Sequence, residues 1–341
     1  MAELIIHRSL GEVPPGFGPC ALTIGNFDGV HWGHQAIFRR LVEVGERHAW
    51  TPSVMTFDPH PTRIVAPARA PRLLSTPWQR CRWIGEAGIR QVLVLPFSRE
   101  VSQLEPEQFV GGILVEKLQA RAILVGESFR FGRGGAGNAG MLVELGARYG
   151  FAIEIVPGVA RRSRLISSSE IRRLVETGAV SMAARLLGRP YSLEGEVVAG
   201  EGVGRRLTVP TLNIATTAEV LPAVGVYVTR TQLGGDDRGR PSVTNVGYRP
   251  TFDGSLLTIE SFIFDGFPGT RDRSIRVEFL HRLREERRFP DAASLKSQIL
   301  RDTGRAQAYF RRRQRWARAA AANAVTPVIS QGSHDTLEER P

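Results

Sequence analysis

The sequence predicts an α/β fold joined to a β fold: an N-terminal Rossmann-like domain with a parallel sheet, then a small antiparallel β-barrel with a helix after it. The length of 341 residues is typical of two domains rather than one. Strand-like and helix-like stretches alternate from residue 21 to about residue 155. Beyond residue 186, strand-like segments follow one another without long helices. Alternation favours a parallel sheet covered by helices, whereas consecutive short strands favour a barrel.

The strands of the N-terminal half are predicted by short apolar runs between helix-like segments. These runs cover residues 21–24, 54–57, 91–95, 120–125 and 151–156. The predicted helices cover residues 34–48, 76–85, 107–118 and 140–149. Ligands in a parallel sheet with helices on both faces bind beyond the carboxyl ends of the strands. We therefore expect functional residues in the loops that follow these strands.

The C-terminal half begins at a short junction over residues 187–191. The predicted strands cover residues 192–199, 225–232, 242–248, 257–265 and 274–281, with polar turns between them. A helix is predicted over residues 291–301, and the residues from 319 onwards show little apolar periodicity, which predicts disorder. The predicted domains are residues 1–186 and 187–318, with residues 319–341 as a tail.

The composition narrows the class of protein. Every apolar run is well short of the roughly 20 residues of a membrane span, and residues 1–10 lack the pattern of a secretory signal. The only two cysteines, Cys20 and Cys81, are typical of a reduced cytoplasmic protein. The net charge of +11 suits nucleic acid, and it equally suits small polyanionic substrates such as ATP. An arginine cluster over residues 311–318 is typical of a solvated helix face.

A glycine-rich turn after the first predicted strand is the strongest candidate site. Gly25 and Gly29 let the backbone approach a ligand closely, and His31 and His34 open the helix that follows. The two imidazoles lie on one helix face, at the end where unpaired N–H groups attract anions. The pattern predicts a nucleotide-phosphate site. The plainer alternative is an ordinary turn before a surface helix, and zinc is weaker still because only two ligands lie nearby.

Three further stretches should converge on this turn if it binds a nucleotide. Asp58 and His60 alternate with two prolines directly after the second strand. Ser128 and Phe129 lie in a glycine-rich segment after the fourth strand, with the composition of a loop that closes over a flat ring. Three serines precede Arg172 by one helical turn, which predicts a capped helix start that binds phosphate. The plainer alternatives are a proline turn, a surface loop and an ordinary capped helix.

The C-terminal half has a second candidate phosphate loop over residues 200–213. Its alternate glycines allow backbone N–H groups to wrap phosphates, although a hairpin turn is the commoner meaning of that spacing. Thr211 and Asn213 offer hard oxygen atoms that suit Mg²⁺ beside ATP. Glu260 lies in an otherwise apolar strand, where a carboxylate is costly unless it has a partner or a task. It is a candidate general base, and the alternative is a surface-facing glutamate on an alternating strand.

These motifs resemble one family in order along the chain. The string G-N-F-D-G-V-H-W-G-H over residues 25–34 resembles the His-x-Gly-His signature of nucleotidyltransferases, and its full wording is similar to the bacterial bifunctional riboflavin kinase/FAD synthetase family. T-F-D-P-H-P over residues 56–61 and I-S-S-S over residues 166–169, followed by Arg172, resemble the same family. So does the loop over residues 200–213, with its G-x-G-x-G-R and P-T-x-N. The resemblance covers roughly residues 20–310.

The resemblance implies two activities. The barrel would phosphorylate riboflavin with MgATP to give FMN, with Glu260 as catalytic base. The N-terminal domain would transfer AMP from a second ATP to FMN, giving FAD and pyrophosphate. There, His31, His34 and Arg172 would be catalytic by stabilising charge on the triphosphate.

The resemblance also implies which residues bind each substrate. In the adenylyltransferase site, ATP would contact Gly25, Phe27, Asp28, Gly29, His31, His34, Ser168, Ser169 and Arg172. Flavin there would contact Asp58, His60, Ser128 and Phe129. In the kinase site, ATP would contact Gly200, Gly202, Gly204, Arg205, Pro210, Thr211 and Asn213, with Thr211 and Asn213 as the Mg²⁺ ligands. The chain departs from the family pattern at Ser128, Thr208, Val209 and Leu212.

The expected partners are ATP, riboflavin and FMN, with Mg²⁺ as cofactor and the cytoplasm as location. No membrane and no specific nucleic acid are expected, and a homo-oligomer stays open. One rival is a nucleotidyltransferase for another phosphate ester, with the barrel as a specificity module; Thr211, Asn213 and Glu260 together speak against it. A second rival is a flavin-dependent RNA-binding or regulatory protein, suggested by the arginine cluster at residues 311–318.

Overall fold

The computed structural model describes residues 3–161, 164–198, 211–234, 236, 239–251, 254–266, 272–287 and 289–324. Six parallel strands form the sheet of the N-terminal domain: β1 (Ile5–His7), β2 (Cys20–Ile24), β3 (Thr51–Asp58), β4 (Gln91–Pro96), β5 (Ala120–Gly126) and β8 (Ala152–Val156). Their order is β1-β4-β3-β2-β5-β8. All five residues of β2 are buried, as a central strand covered on both faces requires.

Helices cover both faces of this sheet, as the sequence predicts. They are α1 (Trp32–His48), α2 (Pro61–Val65), α3 (Pro77–Glu86), α4 (Arg99–Ser102), α5 (Pro106–Gln108), the π-helix Phe109–Lys117 and α6 (Ala139–Tyr149). One apolar cluster joins the sheet to the π-helix and α6, and a second joins it to α1 and α3. The prediction of one α-helix over residues 107–118 is wrong, because a short α-helix and then a π-helix cover this segment. The adjacent Gly111 and Gly112, both poor α-helix formers, lie within the π-helix.

Two short hairpins and two helices complete the part of the chain before the barrel. A small hairpin pairs β6 (Arg130–Phe131) with β7 (Gly137–Asn138), and another pairs β9 (Ala160–Arg161) with β10 (Arg164–Leu165). Then come two helices, α7 (Ser168–Glu176) and α8 (Val180–Leu187). Apolar residues of both helices share one buried cluster with the barrel interior. The barrel core therefore extends onto α7 and α8 and reaches Leu74 of the N-terminal half.

The C-terminal half forms the predicted barrel, closed by antiparallel strands. They are β11 (Tyr191–Val198), β12 (Leu212–Ala215), β13 (Gly225–Leu233), β14 (Arg240–Thr251), β15 (Gly254–Ile263) and β16 (Ser274–Arg284). The barrel closes in the order β11-β12-β15-β14-β13-β16. β12 was not predicted, because this four-residue strand follows directly after the glycine-rich loop.

The barrel interior contains a closed ring of five hydroxyl groups, all fully buried. Hydrogen bonds of 2.7 to 3.1 Å between side-chain oxygens link, in order round the ring, Thr229, Ser242, Thr231, Ser261 and Thr244. Each hydroxyl can donate one bond and accept another, so the ring satisfies its own polar groups. The ring therefore cross-links β13, β14 and β15 from the inside.

A long helix, α9 (Ala292–Ala324), follows the barrel. Ala306, Tyr309 and Phe310 pack against outward-facing apolar side chains of the barrel strands. The buried pair of Arg284 and Asp302, 2.8 Å apart, joins the helix to β16. The predicted helix end at residue 301 and tail start at residue 319 are both too early, because the helix continues as an alanine- and arginine-rich segment to residue 324. Residues 325–341 lie outside the described residues.

Ion pairs between side chains also join the segments around the parallel sheet to α7 and to the C-terminal half. Arg72 contacts Glu176 and Arg82 contacts Glu194, each at 2.6 Å, and Arg63 pairs with Glu219. Cys20 and Cys81 are buried free thiols. Among the helices in the described part of the chain, none is both long and apolar enough to span a membrane.

Candidate active sites

The turn between β2 and α1 has a strained backbone. Phe27 and Val30 adopt positive φ angles of 47° and 39°, which L side chains rarely do, and Gly29 has φ 76°. A Cβ atom at Gly25 would lie 3.0 Å from the Phe27 ring, so any larger residue there would have to displace that ring. Strain of this kind persists only where surrounding contacts impose it, and it is typical of functional sites.

The two predicted histidines stand together at the start of α1. His31 is the N-cap residue, and its Nδ1 accepts a hydrogen bond of 3.4 Å from the backbone N–H of His34. The two rings stack with their centroids 3.6 Å apart. Burial lowers the pKa of His31 to about 4, and it lowers the pKa of His34 well below the usual range. Both rings are therefore neutral at pH 7, and the proton of His31 sits on Nε2, because Nδ1 accepts.

Asp28 holds the turn to two other segments. Its buried carboxylate accepts hydrogen bonds from the backbone N–H groups of Leu74 and Ser75 and from the Ser75 hydroxyl, at 2.9 to 3.1 Å. The guanidinium of Arg172 lies 3.4 Å from the same carboxylate. The Ser168 hydroxyl donates to the Asp28 carbonyl at 2.9 Å. Asp28 thus brings the start of α7, with its serines and Arg172, to the signature turn.

A buried arginine, Arg80 of α3, links the turn to the end of β3. Its guanidinium donates to the Thr56 hydroxyl at 3.1 Å and to the Phe57 carbonyl at 3.0 Å. The Thr56 hydroxyl in turn donates to the Asn26 carbonyl at 3.2 Å. Arg80 carries its positive charge beneath the residues that lead into Asp58.

Three buried nitrogen atoms around this turn have no hydrogen-bond partner among the described residues: Nδ1 of His34, Nε of Arg80 and Nε of Arg172. Buried polar atoms normally have partners. Positive charge dominates here, since Arg80 and Arg189 both depress the pKa of His34. This arrangement, at the N-terminus of α1, suits a phosphate group.

The four residues predicted to contact flavin lie near the carboxyl ends of β3 and β5, on either side of the turn after β2. Asp58 ends β3 and is exposed, and His60 caps α2 by accepting from the Thr62 N–H at 3.3 Å. Burial lowers the pKa of His60. Ser128 is exposed in the turn after β5, the neighbour of β2, while the Phe129 ring is half-buried and stacks on Phe131 at 5.6 Å.

The kinase candidates lie on the outer face of the barrel. Glu260 of β15 is paired in register with Asn213 of β12 on one side and with Asn245 of β14 on the other. Its neighbours along the strand, Ile259 and Ser261, point into the buried interior. Alternation therefore places the three polar side chains together on the opposite face. Glu260 is half-buried rather than enclosed. The strand around it alternates between buried and half-buried side chains, so the expectation of an otherwise apolar strand is wrong.

The rest of the kinase loop falls outside the described residues. This applies to the predicted positions Gly200, Gly202, Gly204, Arg205 and Pro210. Thr211 precedes β12 directly, and Asn213 lies within it. In the described parts of the chain, no group of three or more histidine, cysteine or carboxylate side chains could hold a metal. The predicted ligands are oxygens of Thr211 and Asn213, a donor set that suits Mg²⁺ rather than zinc.

Comparisons with known proteins match both sites in chain order. A family model described as FAD synthetase matches residues 15–170, and one described as riboflavin kinase matches residues 187–310. The chain is 35% identical to the bifunctional riboflavin kinase/FMN adenylyltransferase of Escherichia coli over 291 residues, which is 85% of this chain and 93% of that protein. The protein of the same name from Pseudomonas fluorescens is 35% identical over 302 residues, 88% of this chain and 96% of its own. The chain belongs to this family.

A solved structure agrees with the architecture. The crystal structure titled macrolide-efflux protein from Streptococcus pneumoniae has a TM-score of 0.79 and 27% identity, and covers 89% of this chain and 98% of its own. Family membership confirms the resemblance that the motifs carry. The residue assignments themselves stay predictions.

The structure brings most of the predicted adenylyltransferase residues into one hydrogen-bonded group. The signature turn, Ser168 and Arg172 are joined directly, and the end of β3 is joined through Arg80. Sequence reasoning missed Arg80, yet a signal existed: Arg80 lies three and four residues before Trp83 and Ile84, so a charge falls on the buried face of α3. It also missed Arg189, which contacts the turn from the junction before the barrel.

Proposed function

We propose that the chain makes FMN from riboflavin and ATP in the barrel, and then FAD from FMN and a second ATP in the N-terminal domain. The observation that carries the second step is the stacked pair His31 and His34 at the start of α1, tied through Asp28 to Arg172. Two neutral imidazoles, a guanidinium and a helix N-terminus supply the donors and positive charge that a triphosphate requires.

Adenylylation needs positioning rather than a covalent intermediate. An oxygen of the FMN phosphate attacks the α-phosphorus of ATP in line, a new P–O bond forms, and the bond to pyrophosphate breaks. His31, with its proton on Nε2, donates to a phosphate oxygen, and Arg172 offsets charge that moves onto the leaving pyrophosphate. The flavin would lie toward Asp58, His60, Ser128 and Phe129.

Riboflavin phosphorylation is assigned to the outer face of the barrel. Glu260 takes the proton of the ribityl 5′-hydroxyl as its oxygen attacks the γ-phosphorus of ATP, and ADP leaves. Asn245 and Asn213 flank Glu260 in register on the two neighbouring strands. When bound at Thr211 and Asn213, Mg²⁺ neutralises phosphate charge. We propose Mg²⁺ as the metal and the cytoplasm as the location, the latter supported by the two free thiols.

The test resolves riboflavin, FMN and FAD by chromatography over time, with riboflavin and MgATP as substrates. FMN should appear before FAD. His31→Ala should lower adenylylation of supplied FMN by about 10²–10³ and spare phosphorylation. Glu260→Gln should lower phosphorylation by about 10²–10⁴ and spare adenylylation. Equal losses of both activities in each folded variant would refute the two-site assignment. No flavin product from either substrate would favour the nucleotidyltransferase rival.

A further inference from the structure

Arg189 lies in the short junction between α8 and β11, within the residues that match the riboflavin kinase family. Its contacts nevertheless reach into the other domain. The guanidinium donates to the Gly29 carbonyl at 2.6 Å and to the Val30 carbonyl at 3.0 Å. A residue on the kinase side of the chain thus holds the backbone of the adenylyltransferase turn.

The guanidinium of Arg189 is fixed by more than these two bonds. It stacks over the indole of Trp83, with its central carbon 3.5 Å from the ring centroid, a geometry that suits a cation–π contact. It also lies 3.3 Å from the Leu187 carbonyl. Burial lowers its pKa to about 9, so the side chain stays charged at neutral pH. Charged donors form the stronger hydrogen bonds to carbonyl groups.

The Val30 carbonyl belongs to a strained residue of the turn. Val30 is β-branched and adopts φ 39°, whereas Gly29 reaches φ 76° without strain because it has no Cβ atom. Each strained residue costs about 1–3 kcal/mol, which neighbouring contacts must offset. Val30 directly precedes His31, so the direction of the Val30 peptide sets where the His31 ring begins. Gln35 supports the same point, because its amide donates to the Val30 and Leu187 carbonyls at 2.9 Å.

We propose that Arg189 is a positioning residue for FMN adenylylation, supplied by the junction that leads into the kinase barrel. It holds the Gly29–Val30 segment so that His31 faces the triphosphate. The proposal rests on the proposed function, in which His31 acts on that triphosphate. It also means that the adenylyltransferase site is complete only when the junction is seated against it.

The test uses Arg189→Ala, Arg189→Lys and Arg82→Ala in the full chain, each assayed for both activities. Arg82 is the matched control, because it also lies over Trp83 and joins the domains, through Glu194. Arg189→Ala should lower kcat for FMN adenylylation tenfold or more, change KM for ATP less than threefold and leave riboflavin phosphorylation within twofold. Arg189→Lys keeps the charge but cannot donate to both carbonyls in the same fork geometry. Its kcat should therefore lie between that of Arg189→Ala and that of the unmodified chain. Arg82→Ala should match the unmodified chain in adenylylation.

Three results would overturn the proposal: unchanged adenylylation in Arg189→Ala, an equal loss of both activities, or the same loss in Arg82→Ala. If Arg189→Ala does not fold, Arg189→Lys decides alone, and an unchanged kcat overturns the proposal. His31→Ala is assayed in parallel. If His31→Ala adenylylates FMN normally, the proposed site fails; if it is inactive while Arg189→Ala is not, only the role of Arg189 fails.

Discussion

The two candidate active regions are built by different means. The adenylyltransferase turn is held by side chains that come from distant parts of the chain: Ser75, Arg80, Arg172 and Arg189 all bond to it or to the strand beside it. The kinase face is held by the register of three strands, with Glu260 between two asparagines. The first is fixed by a few strong polar contacts, and the second by a repetitive ladder.

This difference teaches where each region is vulnerable. A turn held at single points loses its geometry when one buried polar group is removed, because its partners are left unsatisfied. A barrel face spreads its support over backbone hydrogen bonds and the hydroxyl ring inside, so one substitution removes only part of it. The predictions that follow break one region while the other serves as its control.

The largest effect is expected from Asp28→Asn. The new amide group would face N–H donors of Leu74 and Ser75 or the guanidinium of Arg172, so at least one buried contact becomes repulsive. We expect about 3–5 kcal/mol less stability, the usual cost of breaking a buried charged pair, and the near loss of adenylylation. Urea unfolding and FMN turnover measure both. Glu43→Gln, at an exposed ion pair with Arg40, should change stability by less than about 1 kcal/mol. Wild-type stability in Asp28→Asn would contradict the central role of this carboxylate.

The next effect is a loss of stability in acid. The pKa of His31 falls from 6.5 to about 4 on folding, so between these values the unfolded chain binds more protons than the folded one. The contribution of neutral His31 to the free energy of unfolding is therefore complete above pH 6.5 and disappears as the pH falls toward 4. The lowered pKa corresponds to about 3 kcal/mol. Unfolding free energies at pH 7.5, 6, 5 and 4 should show this slope, and His31→Gln should make it shallower. His34, whose pKa is also lowered by burial, maintains part of the slope in that variant. An equal slope in both proteins would mean that His31 is not the group responsible.

The sequence predicted the parts of this molecule that depend on local pattern. Apolar runs marked five of the six parallel strands, and alternation marked five of the six barrel strands. The short edge strand β1 was not predicted. Gly25, Asp28, His31, His34, Ser168 and Arg172 were predicted as site residues because they belong to short contiguous motifs, and their roles stay predictions. Family membership and both domain types followed from those motifs.

What escaped prediction depends on contacts between distant residues. Arg80 and Arg189 have no motif of their own, and their roles arise only when α3 and the domain junction pack against the signature turn. The hydroxyl ring joins residues from three strands, and each threonine or serine alone resembles an ordinary strand residue. The full length of α9 was missed because its last turns lack an apolar face. Such a helix carries no periodic signal.

A smaller effect is expected from opening the hydroxyl ring with Thr229→Val, which keeps the side-chain shape. Thr229 contacts both Ser242 and Thr244, so one hydroxyl loses its acceptor and another its donor. We expect a loss of about 1–3 kcal/mol and a kinase rate that falls less than tenfold. Thr258→Val, on the half-buried outer face of β15, is the matched control and should cost less than about 1 kcal/mol. Equal costs in the two variants would show that the ring adds nothing beyond packing.

The smallest effect is expected from removing the end of α9. Among the side chains that the structure describes, the last apolar contact of the helix with the barrel is made by Phe310, where the riboflavin kinase match also ends. Residues 311–316 are exposed, including Trp316 at 75%. Ending the chain after residue 310 should therefore leave both flavin activities within twofold. Ending it before residue 305 would also remove Ala306, Tyr309 and Phe310 from a buried cluster, so that shorter chain tests packing rather than the arginines.

Both activities are measured beside binding of a fluorescent single-stranded RNA at two salt concentrations. RNA binding that disappears with residues 311–341, while turnover persists, would make the arginine segment an accessory. Lost turnover would instead place it in the catalytic fold and extend the kinase region beyond the family match.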